Sequence, residues 1–368
     1  MKKICSVVGA RPQFIKLAVV SRVLRKEFQE VLIHTGQHYD HNMSDVFFEE
    51  MDIPKPDYNL GISGGSHGKM TGEMLEELEE VFMKEAPDMV LVFGDTNSTM
   101  AAALAAVKLH IPICHVEAGN RLGTLESPEE VNRIVTDHVS SLHLVCTPSG
   151  VEFLRREGFQ DSVVLVGDPM YDAFCYYTRQ LDGSELAGIV DFQGAPLEVP
   201  AKFYYLTCHR QENTDTDENL RGIFDAMEAL DAPVIYPVHP RNHARAERLC
   251  SQRAYRNLLL TQPVGYQTSI SLVNRAEKIV TDSGGVQREA FFAKKPCVTV
   301  LDYVGWPETM VNGYNQLARP EKADILEQLH CPYIINQNRY SILDRETERN
   351  GILDASADRK KGVIIYSP

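Results

Sequence analysis

No stretch of the sequence approaches the ~20 consecutive apolar residues needed to span a bilayer, and no internal repeat or low-complexity tract is visible. A membrane-embedded protein is not indicated. The eight cysteines (Cys5, Cys114, Cys146, Cys175, Cys208, Cys250, Cys297 and Cys331) are scattered and include no C-x-x-C pair, so neither a zinc ribbon nor a disulfide framework is suggested. Cys5, Cys114 and Cys146 sit in apolar strand-like runs, where free buried thiols are expected, and a reducing, cytoplasmic location is the corresponding expectation. Positive charge is in deficit: 37 Lys and Arg against 51 Asp and Glu leave a formal net charge of −14. That balance argues against wholesale nucleic-acid binding and leaves room for a local basic pocket. The dinucleotide fingerprint G-x-G-x-x-G is missing too: "GARPQFIK" follows the first strand-like run and lacks the second and third glycines. The start, "MKKICSVVGARPQ", carries two lysines and a short apolar run but no small-residue cleavage site, and reads as a first strand and not as a signal peptide.

What is present is a β-α-β rhythm. A length of 368 residues predicts about two domains. Strand candidates in the first half are "KICSVV", "EVLIHT", "DMVLVF", "IPICHV", "LHLVC" and "SVVLV", separated by helix-like stretches such as "MTGEMLEELEEVFMKEA" and "STMAAALAAVKLH". The rhythm breaks over 180–200, a Gly-, Pro- and acid-containing stretch. It resumes in "KFYYLTC", "APVIYPV", "RNLLLTQ", "EKIVTD" and "PCVTVL". The expected fold class is α/β, with two Rossmann-like, doubly wound domains facing a cleft: residues 1–175, residues 200–330, and an unassigned tail, 331–368.

Open parallel sheets bind ligands outside the carboxyl ends of their strands, so residues following each strand are the site candidates. The first strand is followed by Arg11 and Lys16, candidate phosphate contacts. "TGQHYDHN" offers Gln37, His38, Asp40 and His41, a polar loop whose incomplete ligand set makes hydrogen bonding a better reading than metal binding. "GDTNST" leaves Asp95 available, because Thr96, Asn97 and Ser98 can cap the next helix. Glu117 is read as following the fourth strand, with Glu129 and Arg133 four apart at the start of the helix after it. Asp95, Glu117 and Glu129 would then converge as acid/base partners. In the second half His209, Arg210 and Glu212 follow one strand, and His239 and Arg241 another. "TDSGGVQREA" places Ser283, Gly284 and Gly285 at a strand-to-helix turn fit for phosphate, and Glu289 one to two turns on, fit for a diol. A nucleoside diphosphate carrying a sugar meets both demands.

Taken together, "GARPQFIKLA", "TGQHYD", "VFGDTNST", "HVEAGNR…SPEEVNR", "GDPMYDA", "CHRQENTD", "YPVHPR" and "TDSGGVQREA" resemble the non-hydrolysing UDP-N-acetylglucosamine 2-epimerases, with "WPETMVNGYNQL" extending the match. The resemblance implies a GT-B-like arrangement of two Rossmann-like domains, no cofactor and no metal, a UDP-sugar substrate, and a homodimer. It implies a catalytic set of Asp95, Glu117, Glu129, Arg133 and His209, and UDP contacts from Arg11, Lys16, His209, Arg210, His239, Ser283, Gly284, Gly285 and Glu289. Departures are Asn120 in place of the common leucine, a shorter loop before "SPEEVNR", Leu301 and Gly305 where an arginine and an acid are common, Asp40 at a regulatory glutamine position, and a tail without "N-P-Y-G-D-G". "EAGNR…PEEVNR" is also similar to relatives acting on UDP-diacetamido-glucuronate. A retaining glycosyltransferase, a hydrolysing epimerase and a non-catalytic nucleotide-sugar sensor are the alternatives.

Overall fold

The apolar runs become strands with both faces covered, as wholly parallel sheets require. The computed structural model describes residues 1–37 and 47–329, together with the backbone of two short strands, Asn336–Arg339 and Val363–Tyr366, which pair in parallel. His38, Asp40, His41 and Cys331 lie outside the described residues. The chain forms two units, the first comprising Met1–Gln180 with Gly265–Gln267, the second beginning at Leu181 and excluding those three residues.

In the first unit β1 (Lys3–Val8), β2 (Gln29–His34), β3 (Tyr58–Asn59), β4 (Met89–Phe93), β5 (Ile113–Ala118), β6 (Leu142–Val145) and β7 (Val163–Leu165) form one sheet in the order β3-β2-β1-β4-β5-β6-β7. Every pairing is parallel. Helix Asn97–Lys108 is buried along much of its length because it is alanine-rich: Ala101, Ala102, Ala103, Ala105 and Ala106 pack with Met74, Leu78 and Phe82 of helix His67–Glu85 over Val7, Val90 and Val92.

The second unit repeats the plan with β8 (Tyr204–Thr207), β9 (Val234–Pro237), β10 (Leu258–Thr261), β11 (Ile279–Thr281), β12 (Cys297–Thr299) and β13 (Asn315–Leu317), ordered β10-β9-β8-β11-β12-β13 and again all parallel. Tyr204, Leu206, Phe224, Tyr236 and Val280 lie at its core. Two Rossmann-like α/β units are therefore present, as expected. The short strands β3 (Tyr-Asn) and β13 (Asn-Gln-Leu) are largely polar and lie in no apolar run.

In both sheets the strand order reverses beside the first strand, between β1 and β4 and between β8 and β11. Such a reversal opens a crevice at the carboxyl ends of the strands. Gly9 stands at the first: a Cβ there would fall 2.1 Å from Thr35 Oγ1 and 2.2 Å from Ser98 Oγ, which are themselves hydrogen-bonded at 2.8 Å.

No disulfide joins any two of the seven described cysteines. Burial pushes the Cys5, Cys114 and Cys297 thiols up to about 12. Cys146 departs from expectation, being only half-buried.

Gly9→Ala should wedge Thr35 from Ser98 and lower stability by about 1–3 kcal/mol, the usual consequence of overpacking; thermal unfolding followed by circular dichroism measures the fall in Tm.

Candidate active site

The switch point of the first sheet gathers its acids in pairs with cations. Asp95, two residues beyond β4, meets the Arg133 guanidinium of helix Pro128–Val139. Arg133 Nη1 also donates to Glu130 Oε2 at 3.1 Å, and its buried Nε has no hydrogen-bond partner among the described residues. Glu130 Oε1 in turn accepts the Leu122 and Gly123 amides at 2.9 and 3.0 Å, tying the preceding loop to the helix. The Asp95 backbone is held from the same helix: Asn132 Nδ2 donates to the Asp95 carbonyl at 3.0 Å and to Asn97 Oδ1 at 3.1 Å. Asn97 Nδ2 lies 3.0 Å from His67 Nδ1.

Two expectations are corrected here. The carboxylate that joins Arg133 is Glu130, whereas Glu129 is exposed and accepts from Ser127 Oγ at 2.7 Å. Spacings of three and four residues both share a helix face, and the buried network takes the i,i+3 partner. Glu117 does not follow its strand but lies within β5, where the register against β6 shifts between Val116 and Ala118. It is the irregular residue itself, with φ +69°. Bulges re-aim side chains, and a non-glycine residue with positive φ is uncommon and worth a functional explanation.

The Glu117 carboxylate is buried and sits 2.7 Å from Lys16 Nζ, also buried. Lys16, expected at a phosphate, is thus occupied by an acid in this structure. Arg11 begins helix Arg11–Glu27 and stacks its guanidinium over Phe47, 4.4 Å from the ring centroid. Glu117, Cys146 and Asp168 bring donor atoms within 4.8 Å of one another, but Lys16 meets Glu117 and Asp168 Oδ1 accepts the Met170 amide at 2.8 Å.

In the second unit the switch point is organised by Asp282, directly after β11 and nearly inaccessible. Its carboxylate accepts the His209 and Arg210 amides at 2.9 Å and lies 3.2 Å from His209 Nδ1. Burial would raise its pKa, yet the charge and hydrogen bond of His209 and the two amides hold it well below the usual carboxylate range. His209 and His239 stack with centroids 5.8 Å apart, and Arg210 Nε donates to the Asp282 carbonyl at 2.9 Å. Helix Gly284–Phe292 is capped by Ser283, whose Oγ accepts the Val286 amide at 3.4 Å. Gly284 lies against Trp306, 3.2 Å from Nε1 to the place of a Cβ. Gly285 falls in the first turn, and Glu289 is buried in the same helix.

The family model for UDP-N-acetylglucosamine 2-epimerase matches residues 22–355. The chain belongs to the UDP-N-acetylglucosamine 2-epimerase family. Among its relatives, a UDP-N-acetylglucosamine 2-epimerase homolog of Methanococcus maripaludis is 48% identical, with 89% of this chain and 91% of that one covered. The UDP-2,3-diacetamido-2,3-dideoxy-D-glucuronate 2-epimerase of Pseudomonas aeruginosa is 44% identical over 88% of this chain and 90% of its own. The crystal structure of the UDP-GlcNAc 2-epimerase of Methanocaldococcus jannaschii in complex with UDP-GlcNAc and UDP superposes with a TM-score of 0.82 at 39% identity, covering 89% and 91% of the two chains.

Residue-by-residue reading of strand ends overlooked several groups in this epimerase-family chain: Glu130, Asn132, His67, Asp282, and the pair His115–Asp137. His115 Nδ1 lies 2.7 Å from Asp137 Oδ1. Asp137 Oδ2 accepts the Gly119 amide at 3.1 Å and Arg121 Nη1 at 2.7 Å. Burial works against ionisation of Asp137, but His115 and the Arg121 guanidinium outweigh it and lower its pKa from 3.8 to about 2.

A lowered carboxylate pKa contributes stability that is present above the unfolded value and lost as pH falls through the folded one. Asp137 should therefore support the fold fully above about pH 4 and progressively less toward pH 2. Asp137→Asn should lower stability at neutral pH by about 3–5 kcal/mol, the usual effect of breaking a buried pair, and flatten the acid limb of stability against pH in denaturant titrations.

Proposed function

We propose that this chain is a non-hydrolysing epimerase that reversibly converts UDP-GlcNAc to UDP-ManNAc. The C2 proton of an N-acetylhexosamine is not α to a carbonyl and is poorly acidic, so direct removal and return would be slow. In an anti elimination, a base takes the C2 proton while the C1–O bond breaks with its electron pair leaving on UDP, giving a glycal. UDP then adds back at C1 as an acid protonates C2 from the opposite face. No electrons change hands, so the reaction requires no nicotinamide. Positioned acids and bases are typically worth ~10²–10⁴-fold in such proton transfers.

The observation that carries this reading is the pair of acids at adjacent strands, Asp95 just beyond β4 and Glu117 within β5, each beside a buried cation: Asp95 beside Arg133, which Glu130 shares, and Glu117 beside Lys16. Glu129 joins them in the reading as a third acid/base candidate, and Arg133 and His209 complete the catalytic set. The Arg133 Nε–H is a donor suited to a substrate oxygen. Arg11, Lys16, His209, Arg210 and His239 are assigned to the diphosphate, with Lys16 sharing its charge between Glu117 and phosphate. Ser283, Gly284 and Gly285 offer the helix-start amides that suit phosphate oxygens, and Glu289 is assigned to the ribose hydroxyls. The enzyme acts without metal, in the cytoplasm and as a homodimer, and supplies precursors of cell-surface polysaccharide.

A second reading, 2-epimerisation of a UDP-2,3-diacetamido-glucuronate, has a specific support: the Pseudomonas aeruginosa relative of that name is 44% identical, against 39% for the Methanocaldococcus jannaschii enzyme. The elimination chemistry is the same and only the sugar contacts differ.

Incubation with each UDP-sugar in deuterated water, followed by proton NMR, separates the possibilities. The expected result is deuterium at C2 with appearance of UDP-ManNAc from UDP-GlcNAc. Exchange confined to the diacetamido-glucuronate moves the assignment to the second reading, and stoichiometric free ManNAc with UDP establishes a hydrolase. Asp95→Asn should abolish C2 exchange while leaving UDP affinity, measured by calorimetry, within about threefold, because a neutral amide keeps the shape, Arg133 keeps Glu130 as a partner, and the proton-transfer group is lost. Exchange at the parent rate would remove Asp95 from the chemistry.

A further inference from the structure

We propose that His115 is a positioning residue that holds the Gly94 carbonyl and thereby sets the acid site built around Asp95 and the Lys16–Glu117 pair. The inference rests on the epimerase reading for its kinetic measurement only. His115 lies within β5 and is fully buried. Its Nε2 is 2.6 Å from the Gly94 carbonyl oxygen. A carbonyl oxygen can only accept, so Nε2 is the donor. The other side of the ring is braced by Asp137, which is fixed by the Gly119 amide and by Arg121. Arg121 in turn makes a two-pronged contact with Glu157, both bonds 2.7 Å. This chain of alternating charges immobilises the imidazole and is spent on a single outward bond, the one to Gly94.

Gly94 is the residue through which that bond reaches the site. Its φ is +62°, and a Cβ there would stand 3.1 Å from Lys16 Nζ and 3.6 Å from Glu117 Oε1. The bare α-carbon therefore faces the buried ion pair. The Gly94 amide donates to the Val116 carbonyl at 2.9 Å, so one half of the residue is tied to β5 by backbone and the other by His115. Asp95 is next in the chain. Remove the His115 donor and the Gly94 carbonyl becomes a buried acceptor with its partner gone, on the residue type with the greatest freedom to rotate. Rotation toward another donor would carry Asp95 with it.

Gln and Met have similar length and flexibility, but only Gln can place an N–H near the imidazole Nε2 position. His115→Gln should keep the Gly94 bond and retain kcat within about 10-fold, whereas His115→Met should lose about 100-fold in kcat with KM within about threefold, the scale expected for a displacement of about 1 Å in a catalytic group. Crystal structures should show the Gly94 carbonyl and Asp95 in place in the Gln variant and displaced in the Met variant. Folded Gln and Met variants with equal kcat, or a Met variant with Gly94 and Asp95 unmoved, would overturn the proposal. Should the Met variant not fold, the Gln variant decides: a loss beyond 100-fold with the Gly94 bond intact overturns it, and turnover within 10-fold supports it. Should the parent turn over no UDP-sugar, the functional reading fails by itself, and the displacement of Gly94 and Asp95 still decides the positioning role.

Discussion

A lysine ammonium and a glutamate carboxylate, both buried and 2.7 Å apart, set the terms for the first unit. Neither charge could be left alone there, since an isolated buried ion carries a desolvation penalty of several kcal/mol. Their mutual satisfaction dictates several otherwise unrelated features. Glu117 reaches Lys16 from a bulge at positive φ, a conformation that strand pairing alone would not select. Gly94, at φ +62°, lies close against the pair, where a Cβ would stand 3.1 Å from Lys16 Nζ. Lys16 lies on a helix whose start is fixed by Gln13, its Oε1 accepting the Gly9 and Ala10 amides and its Nε2 donating to Phe93 O and Thr99. The glycine, the lysine and the bulge thus meet at one ion pair.

The second unit solves a comparable problem with backbone. Asp282 is buried directly after its strand, and the His209 and Arg210 amides converge on it. Asp137 plays the corresponding part in the first unit, gathering the Gly119 amide, Arg121 and His115. In each case a deeply buried carboxylate, kept ionised by cations and N–H donors, fastens the chain that follows a neighbouring strand. The two acids are architectural. Their low pKa values follow from complete satisfaction, whereas an acid intended for proton transfer must be able to change its charge. Asp95, by contrast, is part-exposed beside Arg133.

The fold was largely legible because fully buried parallel strands are continuous apolar runs. "KICSVV" coincides with β1, and the other runs lie within about two residues of their strands. The positions of Asp95, His209 and Ser283 just beyond β4, β8 and β11 were legible in the same way. What escaped had physical causes. His115 and Asp137 are polar residues inside otherwise apolar elements, and only three-dimensional pairing reveals why their burial is tolerated. Glu117 appeared to follow its strand because a bulge has no signature in residue order. Glu129 and Glu130 are adjacent acids at a helix start, and nothing in their spacing to Arg133 tells the i,i+3 partner from the i,i+4 one. Asp282 was present in "TDSGG" but overshadowed by the glycines after it.

The cations beside the two acids are engaged differently. Arg133 is shared, meeting Glu130 as well as Asp95, so a substitution at Glu130 also changes what Asp95 pairs with. Lys16 meets Glu117 in a pair that is buried on both sides. The proposed elimination, which takes a proton from one face of a carbon and returns one to the other, would therefore draw on two acids in unlike surroundings, one part-exposed beside a shared guanidinium and one buried against an ammonium.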